Sequence, residues 1–218
     1  MHAPPLGLTV RPNRQRDRTR DALMSAGHTL FANRPVEGVT VDDIVDQAQV
    51  AKGSFYNHFS DKDAFADAVY QGVQSDVERQ IATVNEGVVD PPVRIARALC
   101  TVMAYARDNP ERLQALLGKA PPRTAFASPT DIGVEADVRA GLDQGRFRDI
   151  DVEGGVLCAI AIIQAMVGHT MVHDGRSVRP VDLAAKMAGA LLRALGLPRD
   201  EASALAGDTA ESLLGVEQ

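Results

Sequence analysis

The sequence of 218 residues predicts an all-α protein, on the basis of three observations. Apolar residues recur at helical spacing in successive segments, and no segment alternates apolar and polar residues as a half-buried strand does. Aromatic residues make up only 4% of the chain and Trp is absent. Ala, Leu and Val dominate instead, a balance that favours packed helices over a β-sandwich. Because 45% of the residues are hydrophobic, we expect a folded protein with a proper core.

The first helix is predicted over residues 14–33, where Leu23, Ala26, Leu30 and Phe31 keep helical spacing on one face. Five arginines fall between positions 11 and 20, so residues 1–62 carry eight Lys and Arg against seven Asp and Glu, a net +1. Since the whole chain carries −6, the remainder carries −7. A basic end on an acidic body is typical of a protein that presents one end to DNA. The arginine-rich arm is interpreted either as a minor-groove contact or as a solvated tail.

Residues 40–62 predict two short helices joined by a tight turn. Thr40 is a favourable N-cap, and Asp43 stands at the capping-box position. The apolar stripe that follows consists of Val41, Ile44, Val45 and Ala48. After a turn at residues 49–50, a helix over about 51–59 is expected to bury Phe55 and Phe59. Ser60 then caps a longer helix that runs to about residue 83.

The second of these short helices has the residues that a helix needs to enter the DNA major groove. Small residues follow Lys52 at its start, and Gly53 costs about 1 kcal/mol of helix stability relative to Ala, which close approach to base edges would explain. Lys52 and Ser54 can donate to bases or phosphates, and Tyr56 lies opposite the buried phenylalanines. Helix starts are natural phosphate sites. The predicted DNA contacts are Thr40, Lys52, Gly53, Ser54, Tyr56, His58 and Lys62.

The segment from residue 19 to residue 70 resembles the DNA-binding domain of the TetR family of bacterial transcriptional regulators. The matching stretches are Thr-Val-Asp-Asp-Ile from Thr40, Val-Ala-Lys-Gly-Ser-Phe-Tyr-Asn-His-Phe from Val50, and Ser-Asp-Lys-Asp-Ala-Phe from Ser60. The resemblance implies an N-terminal three-helix helix-turn-helix DNA-binding domain and a C-terminal helical effector-binding and dimerisation domain. We expect these domains to span residues 14–83, with a linking helix over 61–83, and residues 84–218.

In the second half, helices are predicted over about 92–108, 110–118, 131–145, 153–173, 180–195 and 199–206. The helix over 153–173 is apolar nearly all round and must be covered on every side. Its neighbour over 180–195 offers small residues for close packing. Together they are the expected interface of a two-fold homodimer, as the family resemblance also implies. Two-fold symmetry would place two recognition helices ~34 Å apart and predicts a palindromic operator.

The resemblance further implies a small-molecule effector that releases DNA, bound in the second domain. Polar residues on otherwise apolar helices are the candidates for contacting it: Arg97, Thr101, Tyr105, Gln164 and His169. The candidates for apolar walls are Met103, Met166 and Phe126. A ligand-sized cavity would favour a small effector, whereas a filled core would favour control by a protein partner.

Other functional classes have little support in the sequence. The pair His169 and His173 has helical i, i+4 spacing but no third ligand, so neither a metal nor a cofactor is expected. No nucleophile elbow, phosphate loop or acid–base pair indicates an enzyme. The apolar run over 156–167 is shorter than the ~20 residues of a membrane span, and no secretory signal is recognised. A soluble, cytoplasmic protein with reduced, buried Cys100 and Cys158 is expected.

Overall fold

The computed structural model describes residues 14–119, 129–173 and 179–215, and within these ranges every regular element is helical. The all-α prediction is therefore confirmed. The α-helices are α1 (Arg14–Asn33), α2 (Val41–Ala48), α3 (Lys52–Tyr56), α4 (Lys62–Val84), α5 (Pro91–Asp108), α6 (Pro110–Lys119), α7 (Pro129–Asp143), α8 (Val152–His173), α9 (Pro180–Ala194) and α10 (Arg199–Leu214). A short 3-10 turn, Val36–Gly38, connects α1 to the Thr40 cap of α2.

The chain forms two compact units that divide between Val69 and Tyr70, inside α4. Unit 1 ends at residue 69 and holds the three N-terminal helices with the start of α4; unit 2 holds the rest. The functional boundary expected after residue 83 stays a prediction.

Unit 1 is built on an aromatic cluster. Phe55 lies 5.6 Å from Phe59 and 5.5 Å from Phe65 between ring centroids, and Phe31 of α1 lies 5.8 Å from Phe65. All four rings are buried, which confirms the predicted burial of Phe55 and Phe59. Gly27 lets α1 approach α4 closely, because a Cβ there would lie 2.7 Å from the Phe65 ring.

Unit 2 is organised around α5, which contacts α7, α8, α9 and α10 and buries most of its residues. The turn between α9 and α10 depends on Gly196, whose φ is +93° and whose Cβ would lie 2.4 Å from the Arg148 carbonyl oxygen. Cys100 of α5 is fully buried, and burial raises the pKa of its thiol to about 12. Cys158 of α8 is a free thiol as well but is only half-buried, so the expected burial holds for one of the two cysteines.

The last helix extends eight residues beyond the predicted end at 206 and ends at Leu214. Gly207 and Thr209 make this segment a poor helix by propensity. Burial outweighs that preference, because Ala206, Ala210 and Leu214 recur at helical spacing and pack into the core of unit 2. Tertiary packing therefore decides where this helix ends.

The loop between α4 and α5 is fastened by two arginines. Arg94 donates to the carbonyl oxygens of Asn85 (3.3 Å) and Val88 (3.1 Å) and pairs with Asp137 of α7 at 2.6 Å. Arg146, which follows α7, pairs with Asp90 at 2.9 Å and with a glutamate of α10 at 2.8 Å. These charge-assisted bonds connect the loop to α5, α7 and α10.

Helix α8 packs against α5, α7 and α9 but leaves much apolar surface uncovered. Leu157 is 44% exposed, Ala161 and Ala165 are exposed, and Ile160 is half-buried. Residues Val152–Met171 have a mean hydropathy of 1.6, so by length and composition this helix could cross a membrane. The apolar run is thus longer than the 156–167 segment, and its length alone does not exclude a membrane span, although a single such helix is weak support for one.

Candidate nucleic-acid interface and effector cleft

The start of α2 is fixed by the predicted capping box. The Thr40 hydroxyl accepts from the Asp43 amide at 3.1 Å, and the Thr40 amide donates to the Asp43 carboxylate at 2.8 Å. The hydrogen bond from the Thr40 backbone lowers the pKa of Asp43, with smaller contributions from the Thr40 hydroxyl and Arg34. Thr40 stays exposed at the N-terminus of α2, where a phosphate oxygen would be favourably placed.

The turn from α2 to α3 passes through Gln49, whose φ of 55° and ψ of 43° are left-handed. The Gln49 amide donates to the Asp46 carbonyl at 3.2 Å, and the Val50 amide donates to the Val45 carbonyl at 3.0 Å. These bonds close the end of α2 and direct the chain into α3. The buried Phe55 then holds α3 against the aromatic cluster, which leaves the opposite face of this short helix in solvent.

The exposed face of α3 has room for a close partner at Gly53. A Cβ built on Gly53 meets no heavy atom within 4 Å, so packing within the described protein does not require glycine there. Lys52 is exposed, Ser54 is half-buried, and Tyr56 is 53% exposed with its ring edge-on to Phe55 at 5.3 Å. Of the sequence-predicted contacts on α3, Lys52, Gly53 and Tyr56 are therefore accessible to a partner, and Ser54 is partly so.

Lys52 carries an ion pair that was not predicted from the sequence. Its ammonium Nζ lies 2.7 Å from a carboxylate oxygen of Asp42, in the first turn of α2. The hydrogen bond to Asp42, together with the carboxylate charge, raises the pKa of Lys52 above its ordinary 10.5. Lys52 is therefore positively charged at neutral pH, and its ammonium is paired with the carboxylate of Asp42.

His58 is half-buried between α3 and the first helix. Burial lowers the pKa of His58 below its ordinary 6.5, and the charges of Arg16 and Arg20 lower it further. Arg20 also lies over the Phe59 ring, with its guanidinium carbon 5.8 Å from the centroid. His58 is thus a neutral imidazole at neutral pH, near the exposed cations Arg16 and Arg20 of α1.

Lys62 is half-buried at the start of α4, and its ammonium stabilises the backbone before α2. Its ammonium donates to the carbonyl oxygens of Val36 at 2.8 Å and Val39 at 2.9 Å. These bonds satisfy the 3-10 turn before α2, across more than 20 residues of sequence. An ammonium has three N–H donors, so one remains for a phosphate.

The expected effector residues do not form one site. Thr101 lines an open cleft of about 460 Å³, whereas Met103 and Met166 are fully buried in the core of unit 2. Arg97 donates to the Val84 carbonyl at the end of α4. Gln164 and His169 are exposed on α8, and Phe126 lies outside the described residues. Sequence periodicity identified α5 correctly but could not show which helices meet at the cleft.

The cleft lies among α4, α5 and α10 and is lined by Asp76, Arg79, Gln80, Thr83, Val84, Thr101, Ala104 and Leu213. Asp76 also pairs with Arg112 of α6, whose guanidinium carbon lies 5.8 Å from the Tyr105 ring centroid. Among the described residues, neither the buried Tyr105 hydroxyl nor the buried Arg112 Nε has a hydrogen-bond partner. Burial raises the pKa of Tyr105 above its ordinary 10, so its hydroxyl remains a donor. Two unused donors thus lie beside an acid that lines the cleft.

In the part of the chain that the structure describes, no three His, Cys, Asp or Glu side chains come together in an arrangement that could hold a metal ion.

Comparison with known proteins finds a family match in the N-terminal part of the chain. The family described as bacterial regulatory proteins of the tetR family matches residues 23–69. The transcriptional repressor DhaR of Mycobacterium sp. strain GP1 is 44% identical over 75 residues, 34% of this chain and 38% of that protein, so the match spans well under half of this relative. The repressor KstR2 of Rhodococcus jostii strain RHA1 is 28% identical over 62% of this chain and 71% of its own length.

The fold is also that of a solved gamma-butyrolactone receptor. That structure matches with a TM-score of 0.67 and 24% identity, over 91% of this chain and 99% of the receptor. At this identity the likeness concerns the fold alone. Residues 23–69 thus match the tetR family of bacterial regulatory proteins, and the chain shares the all-helical fold of the solved receptor.

Proposed function

We propose that the chain is a ligand-responsive transcriptional repressor that binds palindromic operator DNA as a homodimer and releases it when a small molecule binds unit 2. The observation that carries the DNA-binding part is the open space at Gly53, flanked by the exposed Lys52 and Tyr56. A helix that offers a cation, a bare backbone and a phenol on one face suits the major groove and its phosphates. The repressor relatives DhaR and KstR2 agree with this assignment.

Selection from a random DNA pool tests the DNA-binding part, with the enriched duplex then titrated at several salt concentrations. We expect a palindrome whose affinity falls steeply with salt, because phosphate contacts release counterions. Lys52→Ala and Tyr56→Phe should weaken binding while leaving thermal unfolding unchanged, because both side chains lie outside the core. Absence of any enriched sequence, with no binding at low salt, would refute the proposal.

The uncovered apolar surface of α8 supports the homodimer. Leu157 is 44% exposed in the isolated chain, next to exposed alanines that permit close helix packing. We take a second copy as the partner, because α8 and α9 pack together as the interface prediction requires and a two-fold interface buries the same patch twice. In sedimentation, Leu157→Glu should convert the dimer to a monomer, whereas Ala204→Glu on the exposed face of α10 should not. A wild-type protein that sediments as a monomer contradicts this part.

The cleft, and the two unused donors near its lining residue Asp76, support the small-molecule effector. The hydroxyl of Tyr105 and the Nε of Arg112 are both buried donors, so the complementary ligand carries an oxygen acceptor. An acceptor bound to the Arg112 Nε would share that guanidinium with Asp76 of α4, the helix that begins in unit 1. Effector binding and DNA release would be coupled through this shared guanidinium.

Gamma-butyrolactone, the ligand class named for the solved receptor, is a suitable first probe. It should release the selected duplex from the wild-type protein, and Tyr105→Phe should blunt the response. The fold should not suffer, since the hydroxyl has no hydrogen bond to lose within the described residues. Tyr105→Phe with an unaltered response would remove Tyr105 from the site. Release by a cellular protein instead of small molecules would favour the alternative, a regulator controlled by a protein partner.

A further inference from the structure

The carboxylate of Asp42 forms an ion pair with Lys52, the residue whose charge α3 would present to DNA. This carboxylate lies 2.7 Å from the Lys52 ammonium, and the two side chains are 67% and 53% exposed. We propose that Asp42 is an intramolecular substitute for a DNA phosphate, which DNA must displace from Lys52, and that this exchange limits affinity and weakens its dependence on salt. The inference rests on the proposed DNA-binding function.

The two acids in the first turn of α2 have different roles. Asp43 completes the capping box with Thr40 and lies 3.7 Å from Arg34, so it is bound to the fold. Asp42, one residue earlier, is directed to Lys52 at the start of α3. A carboxylate near the N-terminus of a helix occupies the kind of position at which a phosphate would otherwise bind.

Position and accessibility set Lys52 apart from the other lysine of this surface. Lys62 is half-buried and donates to two backbone carbonyl oxygens, so much of its bonding capacity is fixed. Lys52 is exposed and directly precedes Gly53, where an added Cβ would meet no heavy atom within 4 Å. Exchange of its carboxylate partner for a phosphate therefore needs no rearrangement of the core, only rotation of two exposed side chains.

The size of the effect follows from what exposed ion pairs contribute. Such pairs stabilise by an amount equivalent to about 1.4- to 5-fold in an equilibrium constant, so a dimer with two such pairs gains about 2- to 25-fold when Asp42 is neutralised. Salt screens an exposed ion pair, so breaking the Asp42–Lys52 pair costs less binding affinity as the salt concentration rises. The gain should therefore be largest at low salt and shrink as salt rises.

The test compares wild type with Asp42→Asn by fluorescence anisotropy on a labelled duplex of fixed, mixed sequence, between about 50 and 200 mM salt. A duplex of arbitrary sequence suffices because the exchange concerns phosphates. The matched control is Asp208→Asn, which removes the same charge from an exposed position on α10 in unit 2. Asp42→Asn should bind more tightly with a steeper salt slope, and Asp208→Asn should bind as the wild type does.

The same substitution in a Lys52→Ala background separates exchange from simple repulsion. In the Lys52→Ala background, Asp42→Asn should raise the affinity for DNA by less than it does in the wild type, because no ion pair has to be broken. An equal gain in both backgrounds would show that Asp42 repels DNA by itself and would overturn the exchange. So would an Asp42→Asn protein that binds as weakly as the wild type or more weakly. Failure of the wild-type protein to bind any duplex at low salt would instead refute the proposed function.

Discussion

Substituting Gly53 by Ala adds one methyl group to a helix face that contacts nothing else in the described protein. A Cβ at this position meets no heavy atom within 4 Å, so the substitution brings no steric cost to the fold. Ala is favoured over Gly by about 1 kcal/mol in a helix interior, and near the start of a five-residue helix we expect about half of that, roughly 0.5 kcal/mol. In a chain of this size that gain raises the melting temperature by roughly 1–2 °C.

The same methyl group should weaken DNA binding. If α3 approaches the base edges closely, the added Cβ lies where a base or phosphate must pack. Overpacking by one methylene costs about 1–3 kcal/mol, which corresponds to roughly a 5- to 150-fold loss of affinity. Thermal denaturation and titration of the selected duplex, performed on the same preparation, measure the two effects side by side.

Gly207 provides the matched control for this experiment. It lies within α10, and a Cβ there also meets nothing within 4 Å. Gly207→Ala should stabilise the protein by up to about 1 kcal/mol and leave DNA affinity unchanged. If Gly53→Ala lowers the melting temperature, α3 packs differently from this structure. If it binds DNA as tightly as Gly207→Ala does, α3 does not approach the groove closely.

Three further substitutions test the fold. Gly196→Ala should lower the free energy of unfolding by about 2–5 kcal/mol in urea denaturation, because its φ is +93° and its Cβ would lie 2.4 Å from the Arg148 carbonyl oxygen; a milder loss would mean that this turn yields. Gln49→Gly should stabilise by about 0.5–1 kcal/mol, since a left-handed conformation is costly for Gln. The pKa of Asp43 is lowered by Thr40, so its contribution is complete above its ordinary 3.8 and is lost as pH falls through the lowered value. The stability difference between wild type and Asp43→Asn, measured by thermal denaturation against pH, should therefore vanish in acid, and a difference that persists there would contradict this account.

Local features of unit 1 could be predicted because they depend on neighbouring residues. Thr40 and Asp43 are three positions apart, and the capping box was confirmed with both bonds present. Phe55 and Phe59 are one helical turn apart, and their burial was confirmed too. The exposure of Tyr56 follows from the same periodicity, since it lies on the opposite side of α3.

Contacts between residues far apart in the sequence could not be predicted. Nothing in the spacing indicates that Lys62 donates to carbonyls more than 20 residues earlier, or that Asp42 reaches Lys52 across the turn. The cleft in unit 2 is lined largely by residues of α4, such as Asp76, Gln80 and Thr83, whereas the sequence pointed to residues of α5 and α8. Which helices meet is settled by packing of the whole unit, and amphipathic periodicity identifies a buried face without naming its partner.

The hydrogen bonds and ion pairs that two arginines make around residues 85–90 affect local unfolding in unit 2. A surface loop ordinarily opens alone and exchanges its amide hydrogens quickly. Here opening would break the bonds of Arg94 to two carbonyls and to Asp137, and of Arg146 to Asp90. We therefore expect the amides of this loop to exchange at rates close to those of α5 and α7. The end of α4, the loop and the start of α5 would then move as one rigid body. A displacement of α4 would therefore produce a similar displacement of α5.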